Sequence, residues 1–181
     1  MTEAAEPTDH YKRYIREIPD FPKPGISFKD IGPLLGNGPV FTDVVARIAK
    51  NVEREGLQPE IVACPEARGF IFGAALAYRL GIGFVPIRKP GKLPYKTNRV
   101  EYALEYGTDS VEMHIDAVTP GQRVLLVDDL LATGGTIAAC ADLVERSEAI
   151  VEGCAFVVEL LFLEGRKRLK GYPTYSLVVY E

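Results

Sequence analysis

The sequence is poor in residues that bind metals or cross-link chains, with three cysteines and two histidines among 181 residues. Cys64, Cys140 and Cys154 are odd in number and sit in apolar segments. They lack the spacing of a metal knuckle or a disulfide framework, so buried, reduced thiols are expected. His10 and His114 are remote from each other and from the cysteines, which argues against a histidine metal site or a nucleophile–base pair. An excess of positive charge is also missing: 21 Lys and Arg face 25 Asp and Glu, a net charge of −4. No global field draws in a polyanion, and nucleic acid is disfavoured as the main ligand, although a local basic patch can still bind phosphates. No run approaches the ~20 apolar residues of a membrane span. The stretch Met1 to Asp9 carries Glu3, Glu6 and Asp9 without a basic, then apolar, leader pattern. These absences lead to the expectation of a cytoplasmic protein with no membrane partner.

What is present reads as an ordinary globular domain, 47% apolar and 25% charged. One domain over 1–181 is expected, with 1–9 disordered. His10 to Ile18 is predicted as a short helix ending at Pro19. The proline-rich stretch 19–25 and the apolar Ile26, Phe28 and Ile31 complete a small N-terminal cap, or hood, over 10–39. Val40 to Glu55 repeats apolar residues at helical spacing before Gly56. The chain then alternates between short apolar runs at 61–64, 84–87, 124–127, 155–158 and 175–180 and helices at 69–80 and 136–146. That alternation predicts an α/β fold, a central parallel sheet with helices on both faces. Between Lys89 and Gly107 the pattern fails. Pro90, Gly91, Pro94 and several cations fill this stretch, which is expected to be a mobile lid loop with little apolar surface to bury.

The strongest chemical signal is the string from Val124 to Thr136, an apolar strand, two acids, a small-residue turn and a helix start. In open α/β sheets ligands bind beyond the carboxyl ends of strands. Gly134 and Gly135 allow close backbone approach, Thr133 and Thr136 bring hydroxyls, and the helix start supplies unpaired N–H groups for a phosphate. Asp128 and Asp129 cannot attract phosphate. As acceptors they suit sugar hydroxyls or a cation, so phosphate and sugar are read side by side. A second strand end, Pro65 to Phe70, places Arg68 where its fork can meet a diphosphate. A third feature is the cationic run Arg88, Lys89, Lys92, Lys96 and Arg99, with no acid from Arg88 to Val100. By itself such a run can be a solvated face. Beside two anion cradles it can close over a leaving group.

The 124–136 string closely resembles the motif by which type I phosphoribosyltransferases bind phosphoribosyl pyrophosphate (PRPP). The resemblance implies that Asp128 and Asp129 hold the ribose hydroxyls and that Ala132, Thr133, Gly134, Gly135 and Thr136 wrap the 5′-phosphate. It makes the Arg68 turn a pyrophosphate loop, joined by Arg88, Lys89 and Lys92. Arg88 to Pro94 and Glu101 to Gly107 resemble the adenine-specific members. That likeness implies that Glu105 faces the purine as its proton acceptor and that Tyr106 lies near the bound nucleotide. An alternating exposed strand fits residues 101–107 equally well. Ile26 to Ile31 resembles the segment that meets adenine, with Ser27, Phe28 and Lys29 on the base and Leu130 or Leu131 pressing from the other face. A core Phe28 pinning the cap is the plainer alternative. The resemblance further implies adenine and PRPP as substrates, AMP and diphosphate as products, Mg²⁺ carried mainly on PRPP and water, and a homodimer. Two rivals are a transferase for another base, which should differ in cap and lid, and a PRPP sensor controlling transcription. The sensor is disfavoured because about ten residues precede the first predicted helix and no basic face is evident.

Overall fold

A computed structural model describes residues 8–103, 108–169 and 171–181. The chain divides into two compact units, Met1–Val44 and Val45–Glu181.

In the first unit a 3₁₀ helix, Asp9–Tyr14, is followed by strand β1 (Arg16–Ile18), strand β2 (Phe28–Asp30) and the short helix α1 (Gly32–Leu35). The predicted helix over 10–18 is corrected here. Ile15 is already extended, and Arg16–Ile18 pairs antiparallel with Phe28–Asp30. Pairing across the proline-rich turn satisfies these backbone groups, and tertiary hydrogen bonds override a marginal helix propensity. Tyr11 is buried and its hydroxyl donates to the Asp43 carboxylate.

Helix α2 (Gly38–Arg54) begins in the first unit and continues into the second. The second unit then runs through β3 (Ile61–Pro65), α3 (Gly69–Leu80), β4 (Gly83–Ile87), β5 (Thr97–Ala103), β6 (Thr108–His114), β7 (Arg123–Leu131), α4 (Gly135–Arg146), β8 (Ile150–Leu160) and β9 (Thr174–Tyr180). Five strands form the central sheet in the order β4-β3-β7-β8-β9, and every pairing is parallel. Each strand except β9 is therefore followed by a crossover, and the covering layers need both faces. Strand alternation shows how they are shared. Ala63, Val85, Val124 and Leu126 face α4, in a cluster with Ile137, Cys140 and Leu143. Cys64 and Phe84 face the other way, where a β-carbon on Gly73 of α3 would run into the Cys64 sulfur. Val124 to Val127 are at most 1% exposed, each contributing about 1.5–3 kcal/mol relative to an exposed position. The three cysteines are free and buried as expected, and burial pushes each thiol up, Cys154 to about 12.

The stretch 89–107 is not wholly a loop. Residues 97–103 form β5, hydrogen-bonded along its length to β6 as an antiparallel hairpin. Val100, Val111 and Met113 are at most 3% exposed and join the α4 cluster. Within 89–107 the pairing turns Val100 inward, with Tyr102 packed against the same cluster, while Val111 and Met113 belong to β6, beyond that stretch.

Candidate active site

The chain enters the sheet at β3, moves outward to β4, then returns to add β7 on the other side of β3. This reversal leaves the carboxyl ends of β3 and β7 side by side, the position where open α/β sheets bind ligands. Both ends run into helix starts, α3 after Arg68 and α4 after Gly134, and neither start is capped by a side chain. Their first N–H groups are thereby left for a ligand.

The two acids occupy β7 itself, which extends through Leu131 and not only to Val127. Asp129, 6% exposed, forms an ion pair with Arg68 at 2.8 Å, Nε to Oδ2. Asp128 accepts the Asp129 N–H through Oδ1 at 2.8 Å. A β-carbon on Gly69 would lie 2.7 Å from that same oxygen, so the α3 start fits over Asp128 only as glycine. Burial, reinforced by the charge of Asp129, holds the Asp128 carboxyl well above the usual carboxylate range. Burial also raises Asp129, against the pull of Arg68. Arg68, read from the sequence as a diphosphate ligand, is therefore also the counter-ion of the acid pair.

Residues 132–134 form the turn beyond β7, with Thr133 exposed and Thr136 half-buried on the first turn of α4. Gly134 has φ +78, and a β-carbon there would collide with the carbonyl oxygen of Gly165. Glycine at 134 is thus demanded by the fold before any ligand arrives. Of the two leucines, Leu131 is 1% exposed within the core cluster, while Leu130 is half-exposed and available to a ligand.

The cations are organised by Glu66. Its carboxylate accepts from Arg88 (Nη2, 3.0 Å) and from the Lys89 backbone N–H (2.5 Å). Burial would raise Glu66, but these donors outweigh it and hold the group below its ordinary value. Arg88 and Glu112 exchange backbone hydrogen bonds of 2.9 and 2.7 Å, fastening the cationic turn to β6. Arg88 Nε is buried and has no hydrogen-bond partner among the described residues. Lys92 follows in the same turn, its N–H on the Lys89 carbonyl and its own carbonyl accepting from Arg88 Nη1. Lys89 Nζ pairs with Asp109 and donates to the Tyr102 hydroxyl at 3.2 Å, and that hydroxyl lies 3.2 Å from Thr136 Oγ1. Burial would lower Lys89, yet Asp109 and Tyr102 hold it above its ordinary value. Sequence reasoning missed Glu66, Tyr102, Asp109 and Gly165. The alternation of Val100 and Tyr102 against Val111 and Met113 was the available signal for the hairpin residues.

Glu105 and Tyr106 lie outside the described residues. Ser27, Phe28 and Lys29 belong to the first unit, where Ser27 Oγ donates to Glu17 (3.2 Å) and Lys29 pairs with Glu17 at 2.8 Å. Phe28 is half-buried and meets Phe21 edge-on, 5.2 Å between ring centres. No group of three or more His, Cys, Asp and Glu among the described residues could hold a metal ion. None of the described helices is long and apolar enough to cross a membrane.

Comparison with known proteins defines the class first. The model of the phosphoribosyl transferase domain matches residues 35–173. An adenine phosphoribosyltransferase of Thermoanaerobacter sp. (strain X514) is 58% identical over 172 residues, 95% of this chain and 98% of the relative. The crystal structure of the adenine phosphoribosyltransferase from Thermoanaerobacter pseudethanolicus superposes with a TM-score of 0.92 at 57% identity, covering 96% of this chain and all of that one. The Saccharomyces cerevisiae enzyme, complexed with an imino-altritol bisphosphate and adenine, gives 0.90 at 38% identity, with 94% of this chain and 97% of that chain covered. The chain belongs to the adenine phosphoribosyltransferase family of phosphoribosyltransferases.

Proposed function

We infer that this protein transfers the 5-phosphoribosyl group of PRPP to adenine, yielding AMP and diphosphate. The observation that carries the reading is the juxtaposition at the β3 and β7 ends: an acid pair with Asp129 buried and Asp128 half-buried, an arginine and two uncapped helix starts. It occurs in a chain more than half identical to enzymes of that name. The N9 lone pair of adenine attacks C1′, and the C1′–O bond to diphosphate breaks with its electron pair leaving on the diphosphate. The N9 proton passes to Glu105. Asp128 and Asp129 accept from the ribose hydroxyls, and residues 132–136 surround the 5′-phosphate. Arg68, Arg88, Lys89 and Lys92 take up the charge that develops on diphosphate, a contribution that preorganised cations make without reorganisation. Ser27, Phe28 and Lys29 are the residues that the resemblance gives to the base, and Leu130 is the half-exposed leucine of the β7 end. Closure of the cationic stretch that precedes β5 over the substrates excludes water.

Magnesium fits as part of the substrate. The acid pair offers too few carboxylates for a cage, and Arg68 already engages one of them, so the ion is carried on PRPP oxygens and water. Bound there, it would supply positive charge to the diphosphate beside Arg68. A cytoplasmic homodimer completes the proposal. PRPP is confined by its charge to the compartment that makes it. Ile71 and Tyr78, seven residues apart on α3, remain exposed, in keeping with a contact between two copies. Incubation with PRPP, Mg²⁺ and each purine in turn tests the reading. AMP formation from adenine, well above the yield from hypoxanthine or guanine, is the expected result. Nucleotide from another base would favour a different transferase, and PRPP binding without turnover would favour a sensor.

A further inference from the structure

After β8 the chain makes two successive 3₁₀ turns, Leu161–Leu163 and Gly165–Leu169, before entering β9. The second turn lies directly against residues 132–134. A β-carbon on Gly134 would collide with the Gly165 carbonyl oxygen and sit 3.1 and 3.2 Å from its carbonyl carbon and Cα. Reciprocally, a β-carbon on Gly165 would run into the Ala132 carbonyl oxygen, 2.9 Å from Leu131 Cδ1 and 3.1 Å from the Gly134 nitrogen. Gly165 has no left-handed backbone to explain its glycine, since it is absent from the residues with positive φ. Space alone excludes a side chain there. The neighbouring Arg166 forks onto Glu159, at 2.6 Å from Nε and 2.7 Å from Nη2. It also donates to the Thr174 carbonyl (2.9 Å) and to Ser176 Oγ (3.3 Å). Glu159 is 2% exposed on β8 and the other two acceptors are on β9, so the turn is bolted to two adjacent strands of the sheet, β8 and the edge strand β9. A planar guanidinium satisfies this acceptor set in one orientation, and an ammonium cannot reproduce it.

We propose that Gly165 and Arg166 are positioning residues for substrate binding: together they form a rigid seat that sets the shape of the 132–136 loop. Neither touches the ligand. Their effect passes through the Ala132 carbonyl and the Gly134 backbone, so a side chain at 165 or a loosened turn misaligns the loop. The Arg68 and Arg88 side of the site is left in place. The inference rests on the assignment of 132–136 to the 5′-phosphate. It therefore separates ligands by the phosphate they carry: those held by the 5′-phosphate should weaken, and those held through diphosphate should not.

The test uses the full chain with Gly165→Ala, Arg166→Met and Arg166→Lys. It measures KM for PRPP and for adenine, kcat, and the inhibition constants of AMP and of magnesium pyrophosphate. Gly165→Ala and Arg166→Met should each weaken AMP and raise KM for PRPP at least tenfold. Pyrophosphate inhibition, KM for adenine and kcat should stay within about threefold. Arg166→Lys, which keeps the charge and part of the bonding, should recover part of the loss. A role in stability alone would lower the melting temperature and leave the constants of the folded enzyme unchanged. AMP affinity within twofold of the parent, or an equal loss of AMP and pyrophosphate, overturns the proposal. Should Gly165→Ala fail to fold, the two Arg166 variants decide it. Gly134→Val serves as the control on the loop: if it weakens AMP while the Gly165 and Arg166 variants do not, only the seat is wrong. If it also leaves AMP unchanged, the phosphate assignment itself falls, and the seat falls with it.

Discussion

Asp128→Asn should stabilise the ligand-free protein while weakening its hold on PRPP. The geometry makes the replacement close to isosteric. Asparagine keeps the oxygen that accepts the Asp129 N–H at 2.8 Å and occupies the same space opposite Gly69. What it removes is one negative charge, next to an Asp129 that Arg68 already engages. Burial, and then the charge of Asp129, raise the folded-state value of Asp128 above that of the unfolded chain. A carboxyl raised in this way contributes stability below its unfolded value of about 3.9, and loses it as pH climbs through the folded value. Above that point the ionised group opposes folding. Relief of such a functional cost commonly yields about 0.5–2 kcal/mol. For a chain of this length each kcal/mol moves the melting temperature by about 2–4 °C, so a rise of roughly 1–8 °C is expected at pH 8. As the pH falls through the raised value the parent becomes protonated as well, and the gap should narrow. Calorimetry of both proteins at pH 5 and 8, with and without PRPP and Mg²⁺, reads each term. If the variant melts below the parent by the same margin at both pH values, the carboxylate is a structural anchor and the account of a buried, costly charge is wrong.

Asp128→Asn combined with Asp129→Asn should abolish the thermal stabilisation that PRPP and Mg²⁺ confer on the parent. Stabilisation equal to the parent's would show that the pair does not hold the ribose. Gly134→Val should raise KM for PRPP and lower the melting temperature together, because φ +78 is strained for any side chain and Gly165 leaves no room. The backbone conformation alone costs about 1–2 kcal/mol, and a melting temperature within 1 °C of the parent would contradict this packing. Glu105→Gln should lower kcat by about 10²–10⁴-fold with PRPP binding nearly intact. Glu101→Gln is the control, an exposed residue paired with Arg99, and small equal losses in both variants would remove the proton-accepting role from Glu105.

Local signals carried most of the second unit. Helix α3 falls at Gly69–Leu80 as the apolar pattern and the Gly81 stop imply, and the parallel strands lie where continuous apolar runs stand between turns. The phosphate loop was equally legible, since two acids, a small-residue turn and a helix start are consecutive in the chain. The 10–18 and 89–107 regions were misread for one reason. Their strands, β1 and β5, stand outside the five-stranded sheet in two-stranded pairs, and polar and charged residues interrupt them, so they lack the continuous apolar runs that mark the central strands. Strand β1 depends on β2, and β5 on β6.

Composition and order of residues therefore determined the fold class, the parallel sheet and the loop that meets phosphate, because each is written in contiguous residues whose periodicity and backbone chemistry act locally. Tertiary structure decided what those residues do to one another. It made Arg68 the partner of Asp129, and Glu66 the organiser of Arg88 and Lys89. It also turned Gly134 from a gap for a ligand into a contact with Gly165, 31 positions on. Such contacts join side chains and backbones from separate strand ends. Only the closing of the sheet, which buries β3, β7 and β8 side by side, brings them within bonding distance.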